Sequence, residues 1–296
     1  MVNADMKKKV FIIGASGMIG EALHKIYSRK EYDIVGGDKE VLENDCMFVD
    51  ITERDSVRRL ISQVKPDIVT LTAALSHVDY CEEFPQESEK VNVDGVQNVL
   101  DAIDKEKVSI VYFSSDYIFD GLNGPYAEID EPNPLCVYGR HKLIAEKLVQ
   151  NALKNYLIIR TTWVYGPEAR GKNFVLSLVT RLKNKERIKV PFDQIGSPTY
   201  SENLAEVVEE LVQKGKTGIY NVAGPVLVDR YSFAREICRV FGLPENMLLP
   251  VTTQELRQKA KRPLKAGLKV HKVMKEMETP LIGYEAGLRF TRKSYV

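Results

Sequence analysis

The chain has 296 residues, with 42 lysines and arginines against 41 aspartates and glutamates, for a formal net charge of +1. That length accommodates one large α/β domain, or such a domain with a smaller lobe built from insertions and the C-terminal part. The near-zero balance supplies no broad field to gather nucleic acid or an anionic membrane, so neither is expected as a partner.

The opening stretch, "MVNADMKKKVFIIG", sets three lysines before an apolar run of only Val10 to Ile13. That run is too short for a secretion signal or a membrane span, and a cytoplasmic setting is expected. "KVFIIG" reads as the first strand and runs directly into "GASGMIG", where Gly14, Gly17 and Gly20 open a helix with Ser16, Met18 and Ile19 between them. Glycines here permit a tight turn, close backbone approach to a pyrophosphate and close helix-to-strand packing, while the helix start offers free N–H groups. The GxxGxxG spacing is one residue wider at its start than the usual dinucleotide fingerprint, and taken alone it would be only a turn.

The second strand, "YDIVGG", ends in Asp38, at the distance where a carboxylate meets adenosine ribose hydroxyls. Asp38 favours NADH, since a 2′-phosphate would face a like charge; Lys39 next door could compensate, so NADPH stays open. "CMFVD", "PDIVTLTAA", "VSIVYFSS" and "YLIIRTTWVYG" continue the strands. Their hydrophobicity is nearly continuous rather than alternating, which predicts strands covered on both faces in a parallel sheet. Asp50 and Ile51 at the end of the third strand, and Ala73 with Ala74 after the fourth, fall where a dinucleotide laid across the strand ends would pass.

Between the strands, Val57, Leu60, Ile61 and Val64 keep helical spacing, as do Val96, Val99, Leu100 and Ile103. Thr52 with Asp55 resembles a capping box, and Pro85 sits where a first-turn proline would start the helix carrying Val96. The fifth strand ends differently: "FSSDYIFDG" carries an apolar run outward into Ser114, Ser115 and Asp116. On the next helix, "VYGRHKLIAEKLV" sets Tyr138 and Lys142 four residues apart on one face. An ammonium near a phenol favours the phenolate and lowers the tyrosine pKa, which eases proton transfer near neutral pH.

Beyond residue 165, Pro167, Gly171, Pro191, Gly196 and Pro198 break the rhythm, and "TGIYNVAG" looks like a strand returning to the sheet. The expected architecture is a Rossmann-type α/β fold, a doubly wound parallel sheet with a smaller, discontinuous C-terminal substrate-binding lobe. Residues 1–165, joined by 195–224, would hold the dinucleotide, and 166–194 with 225–296 the substrate. Cys46, Cys81, Cys136 and Cys238 form no CxxC pair, and His24, His77, His141 and His271 show no ligand spacing, so no metal site is expected.

The glycine turn, the hydroxyls ending the fifth strand and YxxxK together resemble the extended short-chain dehydrogenase/reductase superfamily. Within it the chain is similar to the dTDP-4-dehydrorhamnose reductase family over nearly its whole length. "AALSHVDYCE", "SSDYIFDG", "GPYAEIDEPNPLCVYGRHKLIAEK", "RTTWVYG", "DQIGSPTY" and the "RP" near residue 262 match in order. Ser115 stands where threonine is usual in that family and keeps the hydroxyl; Leu75, Ser76 and Cys81 also depart from its pattern.

The resemblance implies Ser115, Tyr138 and Lys142 as the catalytic set, NADPH or NADH as cofactor, and the C4 ketone of dTDP-4-dehydro-L-rhamnose as the group reduced. Leu75, Asn92 and Phe113 complete the expected cofactor contacts. On the substrate side it implies Asp116, Trp163, Asn173, Phe174 and Arg262, the last because a guanidinium suits a diphosphate. Trp163 has core packing as an equal alternative. Asp116 is followed by Tyr117 rather than the second acid of the 4,6-dehydratases. Nucleotide-sugar 4-epimerases share the Ser, Tyr and Lys set, and the regulatory beta subunit of methionine adenosyltransferase resembles the same family, so both stand as alternatives. Homodimer formation is left open.

Overall fold

The computed structural model describes residues 7–40 and 46–295. The opening stretch, read above as too short for a leader, therefore begins, in residues 1–6, outside the described residues. The first half of the chain alternates strand and helix: β1 (Lys8–Ile13), α1 (Met18–Tyr27), β2 (Tyr32–Asp38), β3 (Cys46–Phe48), α2 (Arg54–Val64), β4 (Ile68–Leu71), α3 (Val78–Glu83), α4 (Pro85–Glu89), α5 (Gly95–Ala102), β5 (Ser109–Ser115), α6 (Val137–Ala152) and β6 (Tyr156–Thr161). The second half holds β7 (Val164–Tyr165), α7 (Phe174–Lys183), β8 (Ile188–Pro191), β9 (Ile195–Gly196), β10 (Thr199–Tyr200), α8 (Ser201–Gln213), β11 (Gly218–Asn221), β12 (Val228–Asp229), α9 (Arg230–Phe241), β13 (Leu248–Val251), α10 (Thr253–Leu256), α11 (His271–Glu276) and α12 (Tyr284–Ser294).

Seven strands form one parallel sheet in the order β11-β6-β5-β4-β1-β2-β3. The unbroken apolar strands have the cause read from the sequence. Val10, Phe11, Ile12 and Ile13 are all fully buried, their side chains alternating between two hydrophobic layers. One layer carries Leu23 and Ile26 of α1 with Leu204 and Val208 of α8. The other carries Val57 and Leu60 of α2, Val96 and Val99 of α5 and Val149 of α6. The strand order reverses between β1 and β4, and a crevice opens beyond the carboxyl ends of strands at such a switch point.

Two local expectations met different outcomes. Pro85 does sit in the first turn of α4, and the chain continues through a π-helical turn, Lys90–Asp94, into α5. The capping box at Thr52 does not form. Glu53 caps α2 without a side-chain bond, because both the backbone N–H and the hydroxyl of Thr52 donate to Asp50 Oδ1, at 3.0 and 2.8 Å.

Past Thr161 the chain builds two-stranded ribbons, β7 with β10, β9 with β12 and β8 with β13. Val175 and Leu178 of α7, Phe233 and Ile237 of α9 and Leu288 of α12 share a third apolar cluster beside them. Residues 195–200 lie in these ribbons, and the return to the main sheet starts at Ser201. There α8 packs on α1, and β11 then adds to β6, with Gly218 opposite Leu157 and Asn221 opposite Arg160. No helix among the described residues is long and apolar enough to cross a membrane.

Candidate active site

The glycines of the first turn have separable reasons. Gly14 has a φ of 95°, and a Cβ there would lie 2.5 Å from both Thr72 Oγ1 and Ala73 N. A Cβ on Gly20 would lie 2.1 Å from Gly14 O. Those two are required by the packing of α1 against the strand ends. Gly17 is not: its nearest such neighbour is Gly14 O at 3.4 Å, and it faces the cavity. It caps α1 with no side-chain hydrogen bond, so the first-turn N–H groups and the positive end of the helix dipole are available to an anion. This is a cradle that fits a pyrophosphate.

Around it, Ser16 N–H donates to Asp38 Oδ2 at 3.0 Å, and Met18, Ile19 and Ala74 line the same cavity. Ile51 is packed under Gly95, whose Cβ would lie 2.7 Å from it. Lys39 does not stand beside Asp38 as a compensating charge, because its ammonium is ion-paired with Asp50 at 2.7 Å. Ala73 uses its N–H on Ile13 O. Asn92 is buried in the π-helical turn, with Oδ1 accepting from Leu75 N at 2.9 Å and Nδ2 donating to Leu75 O at 2.9 Å and Ser88 Oγ at 3.2 Å. Its amide is fully occupied in shaping the loop after β4 and does not reach the cavity.

The catalytic candidates meet at the carboxyl end of β5. One cavity of about 490 Å³ is lined by Gly17, Phe113, Ser115, Tyr138, Lys142 and Trp163 among others. A larger depression, about 1160 Å³, lies at the opposite end of the strands, beside Lys8, Tyr32 and Ser109, away from these groups. Ser115 Oγ donates to Asp116 Oδ1 at 3.1 Å and accepts from Tyr117 N–H at 3.2 Å. Thr162 Oγ1, just past β6, donates to Asp116 Oδ2 at 2.5 Å. Burial pushes the Asp116 carboxyl up to about 6, against the pull of the Thr162 and Ser115 bonds.

Lys142 is one helical turn from Tyr138 on α6, and burial pushes its amine down to about 7, opposed by Glu146. Its Nζ stands 4.4 Å from the centre of the Tyr112 ring. The phenol of Tyr138 is raised by burial, with the interaction from Ser115 drawing it back. The expectation that Lys142 lowers Tyr138 is thus not what the protein alone displays: desolvation dominates both groups, holding the phenol neutral and weakening the ammonium.

On the substrate side, Trp163 takes a left-handed backbone, φ 44°, and lines the cavity while its far edge packs on Gly196. A bulky residue in that region is strained and is held there by its surroundings. Arg230, the first residue of α9, lays its guanidinium 3.6 Å from the Trp163 ring centre and 4.7 Å from that of Phe174. Burial pushes Arg230 down to about 10, with Tyr117 and Asp116 acting against it.

Arg262, the arginine expected to face a diphosphate, is instead ion-paired with Asp79 at 2.9 Å and is absent from the cavity wall. Phe174 supports Arg230 and does not line the cavity. Asn173 lines the cavity as expected, and it also caps α7 and donates to Gly166 O and Glu168 Oε1, so its side chain braces the loop at residues 166–173. Arg230, Thr162 and Arg170 are among the cavity residues that sequence reasoning missed. One signal existed for Arg230: a cation at a helix N-terminus opposes the dipole and needs a reason.

A family model described as the RmlD substrate binding domain matches residues 8–295. A dTDP-4-dehydrorhamnose reductase from Aggregatibacter actinomycetemcomitans is 35% identical over 90% of this chain and 92% of its own length. A solved dTDP-4-dehydrorhamnose reductase from Bacillus anthracis str. Ames, in complex with NADP, superposes with a TM-score of 0.89 at 31% identity, covering 97% of this chain and 99% of that one. The methionine adenosyltransferase 2 subunit beta of Bos taurus is 28% identical over 83% of this chain and 75% of its own length.

Proposed function

Since the chain belongs to the RmlD substrate binding domain family, we propose that it is an NAD(P)H-dependent oxidoreductase that reduces the C4 ketone of dTDP-4-dehydro-L-rhamnose. The observation that carries this reading is the meeting of Ser115, Tyr138 and Lys142 in one cavity with the cradle at Gly17. When bound, the reduced nicotinamide supplies the hydride.

The protein's own groups do the rest. Tyr138 gives its proton to the developing alkoxide, and its neutral, buried state at ordinary pH is the proton-loaded form that this requires. The Ser115 hydroxyl turns from Asp116, which Thr162 still holds, to donate to the carbonyl oxygen. Lys142 meets the nicotinamide ribose and, once charged, steadies the phenolate that Tyr138 leaves behind. Gly17 and the start of α1 receive the pyrophosphate, and Asp38 the adenosine ribose. Trp163 lies against the sugar, and Arg230 replaces Arg262 as the group for the substrate diphosphate.

The proposed division of labour gives the dinucleotide to residues 1–161 with the returning α8 and β11, and the sugar nucleotide to the ribbons and helices after Thr161. Cys81, Cys136 and Cys238 are buried thiols outside any disulfide, which supports a reducing, cytoplasmic setting.

A panel of nucleotide 4-keto-sugars, assayed with NADPH and with NADH by loss of reduced-nicotinamide absorbance, tests the reading. Oxidation of cofactor with the dTDP-linked ketone is expected. The similarity to the methionine adenosyltransferase subunit favours one other reading, a regulatory partner without turnover. Silence across the whole panel, joined to tight binding of a methionine adenosyltransferase catalytic subunit, would replace the first reading with the second.

A further inference from the structure

We propose that Arg170 selects the cofactor: its guanidinium receives the 2′-phosphate of NADPH, so the site prefers NADPH to NADH although Asp38 stands at the adenosine end. The inference rests on the NAD(P)H reading above and adds to it the residue that sets the choice.

Asp38 alone argues for NADH, because a carboxylate repels a phosphate that carries nearly two negative charges. Its two oxygens, though, are both engaged by backbone: Oδ2 by Ser16 N–H and Oδ1 by Glu40 N–H, each at 3.0 Å. The carboxylate is therefore a brace between the glycine turn and the end of β2. A second carboxylate, Glu40, stands in the same corner. A site with two acids and no cation would reject a 2′-phosphate, and Lys39 is held elsewhere by Asp50.

The cation comes from the other side of the cavity. Arg170, in the loop between β7 and α7, brings Nη2 to 3.8 Å from Asp38 Oδ1 and 3.3 Å from Glu40 Oε2. The pairing is by charge only: Nε and Nη2 are shut off from solvent and neither makes a hydrogen bond. Buried guanidinium donors without acceptors are costly and are expected to have a use. Arg170 lines the same cavity as Gly17 and Lys142.

Its loop is held in place at both ends. Ala169 N–H donates to Glu21 Oε2 of α1 at 3.3 Å, and Glu168 Oε1 accepts from the Asn173 side chain at 2.8 Å. A planar, always-charged fork with free N–H groups is the side chain best suited to a phosphate monoester. A ribose diol offers it nothing comparable.

The test measures binding without turnover. Wild type, Arg170→Gln and Arg170→Lys are titrated with NADPH, NADH, 2′,5′-ADP and 5′-AMP by calorimetry. Wild type should bind NADPH about tenfold or more tighter than NADH, and 2′,5′-ADP tighter than 5′-AMP by a similar factor. Arg170→Gln should erase both ratios while its NADH affinity stays within about twofold, and Arg170→Lys should keep part of them. Ratios unchanged in Arg170→Gln, equal weakening toward all four ligands, or a wild type that prefers NADH would each overturn the proposal. A wild type that binds neither dinucleotide would overturn the reductase reading itself, and this inference with it.

Discussion

Arg160 grips Glu146 with two hydrogen bonds, Nε to Oε1 at 3.0 Å and Nη2 to Oε2 at 2.7 Å, and both side chains are almost completely buried. The pair ties β6 to α6, one turn beyond Lys142 and two beyond Tyr138, while Arg160 Nη1 reaches on to Glu128 O. Removing one partner leaves the other charge buried alone. Glu146→Ala is expected to cost about 3–5 kcal/mol of stability, read from urea midpoints. The double variant Arg160→Met/Glu146→Leu should recover most of that loss. A single variant within about 1 kcal/mol of wild type would mean that the pair does not anchor α6.

Tyr138→Phe keeps the ring and removes the proton. Turnover of the keto-sugar should fall by about 100-fold to 10,000-fold, with dinucleotide affinity unchanged within about threefold. Full activity in that variant would assign proton donation to another group.

Asp116 makes stability depend on pH in a stated direction. Its folded pKa, about 6, lies above the ordinary 3.8, so the protonated form suits the folded state. Stability from this group is fully present below about pH 4, is lost as pH rises through about 6, and the loss reaches at most about 3 kcal/mol. Asp116→Asn, always neutral, should be more stable than wild type at pH 8, with the difference shrinking toward pH 4. A constant difference in urea midpoint across that range would refute the assignment.

Arg230→Ala strips the guanidinium from between Trp163 and Phe174 without touching the glycine turn. The KM for the nucleotide sugar should rise by about 10-fold to 100-fold, while dinucleotide Kd moves by less than about threefold. A defect shared equally by both ligands would mark Arg230 as a packing residue.

The parts of the site that sequence made legible are those fixed by local rules. GxxGxxG after an apolar strand, Asp38 at the end of the next, Ser115 at a strand terminus and Tyr138 four residues before Lys142 each follow from the period of one element. Arg230 and Arg262 could not be told apart that way. Which of two arginines faces a cavity depends on how α9 and the C-terminal tail pack, and those contacts join residues far apart in the chain. The loop carrying Arg170, "PEARGKN", has no periodicity to read. Thr52 misled for a related reason, since Asp50 competes for the hydroxyl that a helix cap would need. Charge states were the least legible: Tyr138 and Lys142 sit at the expected spacing, and how far each is removed from water appears only once the sheet and helices close around them.

The position of β11 bears on how the molecule is made. A ribosome releases β6 long before Gly218–Asn221, so the emerging chain carries an open strand edge, and α1 lacks its cover until α8 arrives. The seven-stranded sheet cannot close before β11 is made. The sheet is finished by a segment translated after β7, α7 and β8 to β10, and a fragment ending at residue 165 would be born with a sticky margin rather than as a working module.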